Sequence, residues 1–215
     1  MSANIRIYYY FINLAFNILI IVMPIIQKIT KIDCEIAILN MKKSLGKIIE
    51  SSNKIDLSKF KNEKKKNEII ASRILLNELL PNSTISYNIY GAPEITTNKF
   101  ISISHSQDMA AIIISKKKAG LDIEKISAKP IKVASKFIDE KKHAPLSEEK
   151  ATLIWSCKEA IYKWHQKGNI NFIADIKISK FNVKNEGELI AKFKHQKLTL
   201  HYQKINDYFL VYVCK

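Results

Sequence analysis

Residues 99–126 read "KFISISHSQDMAAIIISKKKAGLDIEKI", and the alternation in this stretch decides the fold class. Ile101 and Ile103 point one way and Ser102 and Ser104 the other, the period of two expected of a strand. "MAAIIIS" follows a Gln-Asp turn and "LDIEKI" follows "KKKAG", so three strands joined by tight turns are expected. Upstream, "CEIAILNM" from Cys34 reads as a strand and "SLGKIIESS" as a short helix. "LSKFKNEKKKNEIIASRILLNELLP" then carries Phe60, Ile69, Ile70, Ile74, Leu75 and Leu79 at helical intervals, with Pro81 closing it and the charges on a solvated face. "SYNIYGAPEI" turns at Gly91 and Pro93.

Downstream come a helical patch, "IKVASKFIDEKK", and a long helix, "SEEKATLIWSCKEAIYKWHQKG". The tail alternates through "IKISKFNV", "ELIAKFKH", "KLTLHYQ" and "YFLVYVC", with "NEGE" and "IND" as turns. Strands with at least one long helix on each side of residue 100 make an α+β fold. The expected organisation is an apolar N-terminal extension over 1–22, one α+β half over 23–100 and a second over 101–215.

A chain of 215 residues that is 47% hydrophobic can bury a core. Its net charge is +15, yet 33 of its 35 basic residues are lysine, spread over every segment. That is a general field suited to an acidic protein or a phosphorylated ligand, without the arginine clusters of a base-reading surface, and nucleic acid is not the expected partner. Cys34, Cys157 and Cys214 are odd in number and far apart, which excludes a disulfide framework and a CxxC metal site and fits a reducing cytosol. The five histidines show no HExxH spacing, which argues against zinc.

Ile7–Ile26 is long enough to span a bilayer core of about 30 Å, but Asn13, Asn17 and Pro24 interrupt it and no small-residue cleavage site follows. A third reading is that Met23 is the true start and the 22 residues before it are upstream sequence; a membrane partner is not expected.

Three short constellations stand out. In "WSCKEAIYKW", residues 155–164, Ile154, Cys157, Ala160, Ile161 and Trp164 form a core-facing stripe. Trp155, Lys158, Glu159, Tyr162 and Lys163 lie opposite, either as a surface ion pair with its neighbours or as a site. Trp155 on that charged face suggests that it meets another surface or a ligand. "LDIE" places Asp122 and Glu124 on one strand face about 5–7 Å apart, either a plain polar face or a pair of hard oxygen ligands suited to Mg²⁺. "SHS" puts His105 where a strand ends, as an ordinary turn or as a seat for a phosphate oxygen.

In order, spacing and residue type, "ISISHS", "GLDIE" and "WSCKEAIYK" together resemble the 4′-phosphopantetheinyl transferase superfamily. "ASRILLNELL" is similar to that family's helix in the N-terminal half, and the length from Met23 is similar to the surfactin-synthetase type, in which two α+β halves form a pseudo-dimer.

The resemblance implies transfer of the phosphopantetheine arm of coenzyme A to a serine of an apo carrier protein, with release of adenosine 3′,5′-bisphosphate. It implies that Asp122, Glu124 and Glu159 hold Mg²⁺, that Lys158, Lys163 and His105 serve phosphates, and that Arg73 contacts the nucleotide end. Glu159, with Lys163 beside it, is the implied catalytic group that accepts the serine proton. An acidic carrier protein, a monomer and a cytoplasmic location go with it. Ala92 stands where the family has a phosphate-binding lysine; Lys99 is a nearby substitute, and Glu140 falls near an additional active-site glutamate of some members. Two other readings are a non-enzymatic module that binds an acidic protein, for which Ala92 speaks, and a metal-dependent nuclease built on Asp122 and Glu124.

Overall fold

The computed structural model describes residues 25–42, 57–58 and 60–215. The proposed start at Met23, the apolar stretch before it and the helix expected at "SLGKIIESS" lie outside these residues. The described chain runs β1 (Ile25–Thr30), β2 (Cys34–Asn40), α1 (Glu63–Leu79), β3 (Ile85–Tyr87), β4 (Pro93–Ile95), β5 (Phe100–Ser106), β6 (Met109–Ser115) and β7 (Ala119–Lys125). It continues through α2 (Ala128–Lys132), α3 (Glu140–His143), α4 (Glu148–His165), β8 (Ile176–Ile178), β9 (Glu186–Phe193), β10 (Gln196–Ile205) and β11 (Tyr208–Cys214).

The long helices begin where side chains satisfy free backbone donors: Asn62 accepts from Lys65 N at the start of α1, and Ser147 from Lys150 N at the start of α4. The helical patch expected around residues 131–142 is broken into α2, one 3₁₀ turn and α3.

Alternation then builds the layers. One antiparallel sheet has the order β1-β2-β6-β5 and another β7-β11-β10-β9-β8, while β3 and β4 form a separate ribbon. On β2, Ala37 and Leu39 face α1, packing with Ile70, Leu75 and Leu76. Ile36 and Ile38 face the other way, against Leu121 and Ile123 of β7 and Leu210 of β11. Phe209, Val211 and Val213 alternate with Leu210 and Tyr212 and join Ile154, Cys157 and Ile161 of α4 in a third cluster. The chain is therefore α+β: helix, sheet, sheet, helix, with each antiparallel sheet packed on one long helix. The expected boundary at residue 100 falls ahead of β5, whereas sheet membership changes between β6 and β7.

Two features of β7 position everything that follows. At Gly120 a Cβ would lie 2.0 Å from the carbonyl oxygen of Ala160 and 2.5 Å from Trp164 N, so the backbone of α4 rests directly on this strand. On the other side, serine hydroxyls link β7 to β5. Leu121 N donates to Ser102 Oγ at 3.0 Å, and Lys125 N to Ser106 Oγ at 3.2 Å. The polar face of "SISHS" is thus a seam between two sheets, where side-chain oxygens stand in for a backbone ladder.

Candidate active site

Asp122 lies where that seam meets α4, only 3% exposed. A buried carboxylate is costly unless its oxygens are satisfied, and here both are. Ser104 Oγ and Lys163 Nζ donate to Oδ1, each at 2.8 Å, and Ser156 Oγ donates to Oδ2 at 2.8 Å. Lys163 Nζ also reaches Ser104 Oγ at 2.8 Å, so strand β5, strand β7 and helix α4 are tied at one point. Two residues along β7, Glu124 Oε1 accepts from Ser106 Oγ at 3.0 Å.

The electrostatics follow from this crowding. Burial raises the Glu124 carboxyl above its ordinary value and Asp122 adds to the rise, while the Ser106 hydrogen bond opposes it. Burial, followed by the charge of Asp122, pushes Glu159 up to about 7; Lys163 opposes this and Glu124 adds to it. The Glu159 carboxyl thus exchanges a proton nearer neutrality than an ordinary glutamate does.

Among the described residues, no three of these side chains are already gathered at metal-binding distance. The positive partner of Asp122 is the Lys163 ammonium. The donor set nevertheless fits a hard divalent cation, because Asp122, Glu124 and Glu159 are oxygen donors, with Asp122 close enough to raise the proton affinity of Glu124 and of Glu159. A cation there would offset the repulsion that adds to the effect of burial on Glu159.

A cleft of about 1110 Å³ extends from Lys163 along the face of α1, lined among others by Lys65, Glu68, Arg73, Ala92 and His105. Arg73 donates from Nη2 to the Ile85 carbonyl at 3.3 Å, while its buried Nη1 has no hydrogen-bond partner among the described residues. A fork with one unused, desolvated tine is a ready donor for an anion. His105 Nδ1 lies 3.3 Å from Glu68 Oε1.

Of the residues singled out in the sequence, the structure brings Asp122, Glu124, Glu159 and Lys163 together, with Arg73 and His105 along the adjoining cleft. It does not bring Lys158 there. That side chain, 4% exposed, donates its ammonium to the carbonyls of Phe172 and Ile176 and lines a separate cavity of about 590 Å³. The ammonium of Lys158, expected at a phosphate, instead makes a structural tie that stitches the segment after α4 to the helix, while the next residue, Glu159, feels the charges of Asp122 and Glu124. Glu140 lines that second cavity too, not the cleft. Lys99 is not among the residues lining the cleft, where Ala92 presents a methyl group.

Trp155 also finds its reason in packing, with ring centroids 4.9 Å from Phe137 and 5.7 Å from Phe172. The surface it meets is the segment that Lys158 holds down. Sequence reasoning missed Ser156, Ser106 and Glu68. The first two sit inside or beside motifs, but their role depends on partners 34 and 18 residues away. Glu68 is one acid in a lysine-rich run and carries no local signal.

The model of the 4′-phosphopantetheinyl transferase superfamily matches residues 118–213, which contain the three carboxylates and Lys163. Over 111 residues the chain is 31% identical to the 4′-phosphopantetheinyl transferase gsp of Aneurinibacillus migulanus, covering 47% of each protein. The chain thus spans about half the length of that curated relative. Strand β7, helix α4 and the strands after it, the elements that hold the carboxylate cluster, are thus the part of the chain that is similar to the 4′-phosphopantetheinyl transferase superfamily.

Proposed function

We propose that this protein transfers 4′-phosphopantetheine from coenzyme A to a serine hydroxyl of an apo carrier protein and releases adenosine 3′,5′-bisphosphate. The observation that carries the reading is Lys163, which lines the cleft and at the same time holds Asp122 inside the carboxylate cluster. Asp122, Glu124 and Glu159 would hold Mg²⁺, which when bound neutralises charge on the pyrophosphate oxygens. Arg73 with its free Nη1 and His105 serve the other phosphate groups, and the Lys163 ammonium serves the transferred one.

Glu159 takes the proton of the incoming serine. The serine oxygen forms a bond to the phosphorus of the pantetheine arm as the bond to the bisphosphate oxygen breaks, and the electron pair leaves with that oxygen. The net charge of +15 favours an acidic carrier protein. A cytoplasmic monomer of two halves, related as a pseudo-dimer, completes the proposal.

The test is direct. The full chain, incubated with coenzyme A, Mg²⁺ and an apo carrier protein, should add the prosthetic arm to the carrier, read by intact mass, and Glu159→Gln should abolish the addition. Failure on several carriers, with intact coenzyme A present, refutes the assignment. Ala92 supports one second reading, a module that binds a carrier protein without turnover. It predicts carrier binding that survives Glu159→Gln and needs no Mg²⁺.

A further inference from the structure

Glu68 is an acid buried in the wall of a cleft otherwise rich in cations. Its side chain is 10% exposed, and it projects from α1 toward β5. Its two oxygens are divided between two residues: Oε1 meets His105 Nδ1 at 3.3 Å, and Oε2 meets Lys65 Nζ at 3.4 Å. All three residues line the cleft. A buried carboxylate beside a site for phosphates repels the ligand, so its presence there requires a compensating role.

Hydrogen bonding on the imidazole supplies one. With Nδ1 directed at Glu68, the far ring nitrogen, Nε2, is the one left to the cleft. In a neutral ring whose proton sits on Nδ1, Nε2 carries a lone pair and repels an anion. Only the imidazolium donates on both sides, to Glu68 through Nδ1 and to a phosphate oxygen through Nε2.

The charged groups around the ring divide accordingly. Burial lowers the proton affinity of His105, Lys65 of α1 and Lys163 of α4 lower it further, and Glu68 of α1 raises it. From β6 the ring is opposite Ala110, and on β7 Asp122 and Glu124 engage the hydroxyls of Ser104 and Ser106 on either side of it. Glu68 is the acid in contact with the ring.

We propose that Glu68 is a positioning residue for the ligand phosphate: it orients His105 and sustains its imidazolium form, so that binding in the cleft takes up a proton. This rests on the reading of the cleft as the coenzyme A site. In free protein the ring is largely neutral at pH about 7.5, above the ordinary histidine value. When an anion arrives at Nε2, one proton enters from solvent, and affinity falls as pH rises.

Isothermal titration of the full chain with coenzyme A, repeated in buffers of different ionisation enthalpy, measures that proton. At pH about 7.5 a net uptake of a fraction of a proton per ligand is expected, absent in His105→Gln. Glu68→Gln keeps the shape and an acceptor for Nδ1 but loses the charge. It should bind coenzyme A about 5–10-fold more weakly, with most of the uptake gone and an unchanged circular dichroism spectrum. Its affinity should recover toward that of the unsubstituted protein as pH is lowered, which a purely structural defect would not show. Coenzyme A binding without proton uptake, or uptake unchanged in Glu68→Gln, overturns this proposal alone. No binding of coenzyme A by the unsubstituted protein overturns the cleft assignment and this proposal together.

Discussion

Lys158→Met separates two roles that one motif position could have. Lys158 Nζ donates to the carbonyls of Phe172 and Ile176, the latter at 2.5 Å. Burial draws its pKa down to about 8, so at pH 7 the group is still mostly the ammonium those carbonyls need. Methionine keeps most of the buried stem and removes the donors, leaving one buried and one part-buried acceptor without the ammonium, the buried one at about 1–3 kcal/mol. Relief from burying a charge offsets part of that cost. The expected net loss is about 1–3 kcal/mol, which for a chain of this size lowers Tm by about 3–10 °C. Because the folded-state pKa is depressed, the unsubstituted protein gains stability as pH rises from about 8 towards the ordinary lysine value, and the variant loses that dependence. Thermal unfolding followed by circular dichroism at pH 7 and pH 9 measures both effects. The coenzyme A KM of the folded variant should stay within about twofold, well under the tenfold that 1.4 kcal/mol of lost binding represents. An unchanged Tm with a tenfold higher KM would place Lys158 on a phosphate and refute the reasoning.

Glu159, raised to about 7, predicts that Mg²⁺ binding releases a proton near neutrality, so Mg²⁺ affinity should be greater at pH 8 than at pH 6; a pH-independent affinity contradicts it. Ser104→Ala removes the hydroxyl shared by Asp122 and Lys163, and urea unfolding should show a loss of about 1 kcal/mol, with turnover falling more steeply than stability. Gly120→Ala forces a methyl to 2.0 Å from the Ala160 carbonyl oxygen, a contact with backbone that cannot swing aside. It should cost more than about 4 kcal/mol and yield little soluble protein, whereas a normal Tm would show that α4 does not sit on β7 as described.

Much of this arrangement can be read in local sequence because it rests on local periodicity. A period of two in "ISISHS" and "YFLVYVC" and a period near 3.6 in "EIIASRILL" require a strand or a helix wherever one face is buried. The same alternation placed Asp122 and Glu124 on one face, since a strand allows no other outcome for residues two apart. The spacing on α4 likewise put Glu159 and Lys163 on adjacent turns.

Long-range contacts decided the rest. Lys158 and Glu159 are neighbours in sequence, and helix geometry alone leaves both on the polar side. Only the segment carrying Phe172 and Ile176, folded over α4, makes one a buried tie and the other a site residue. Trp155 belongs to the same cover. The three serines of β5 look like the solvent face of an edge strand until β7 arrives from the other sheet. Glu68 becomes notable only when α1 sets it against His105. The sequence by itself determined which elements form and which chemical groups each displays, because propensity and periodicity act over a few residues. Tertiary structure alone decided which groups share a desolvated pocket, and with it their protonation and partners, because burial and charge pairing depend on what the rest of the chain brings alongside.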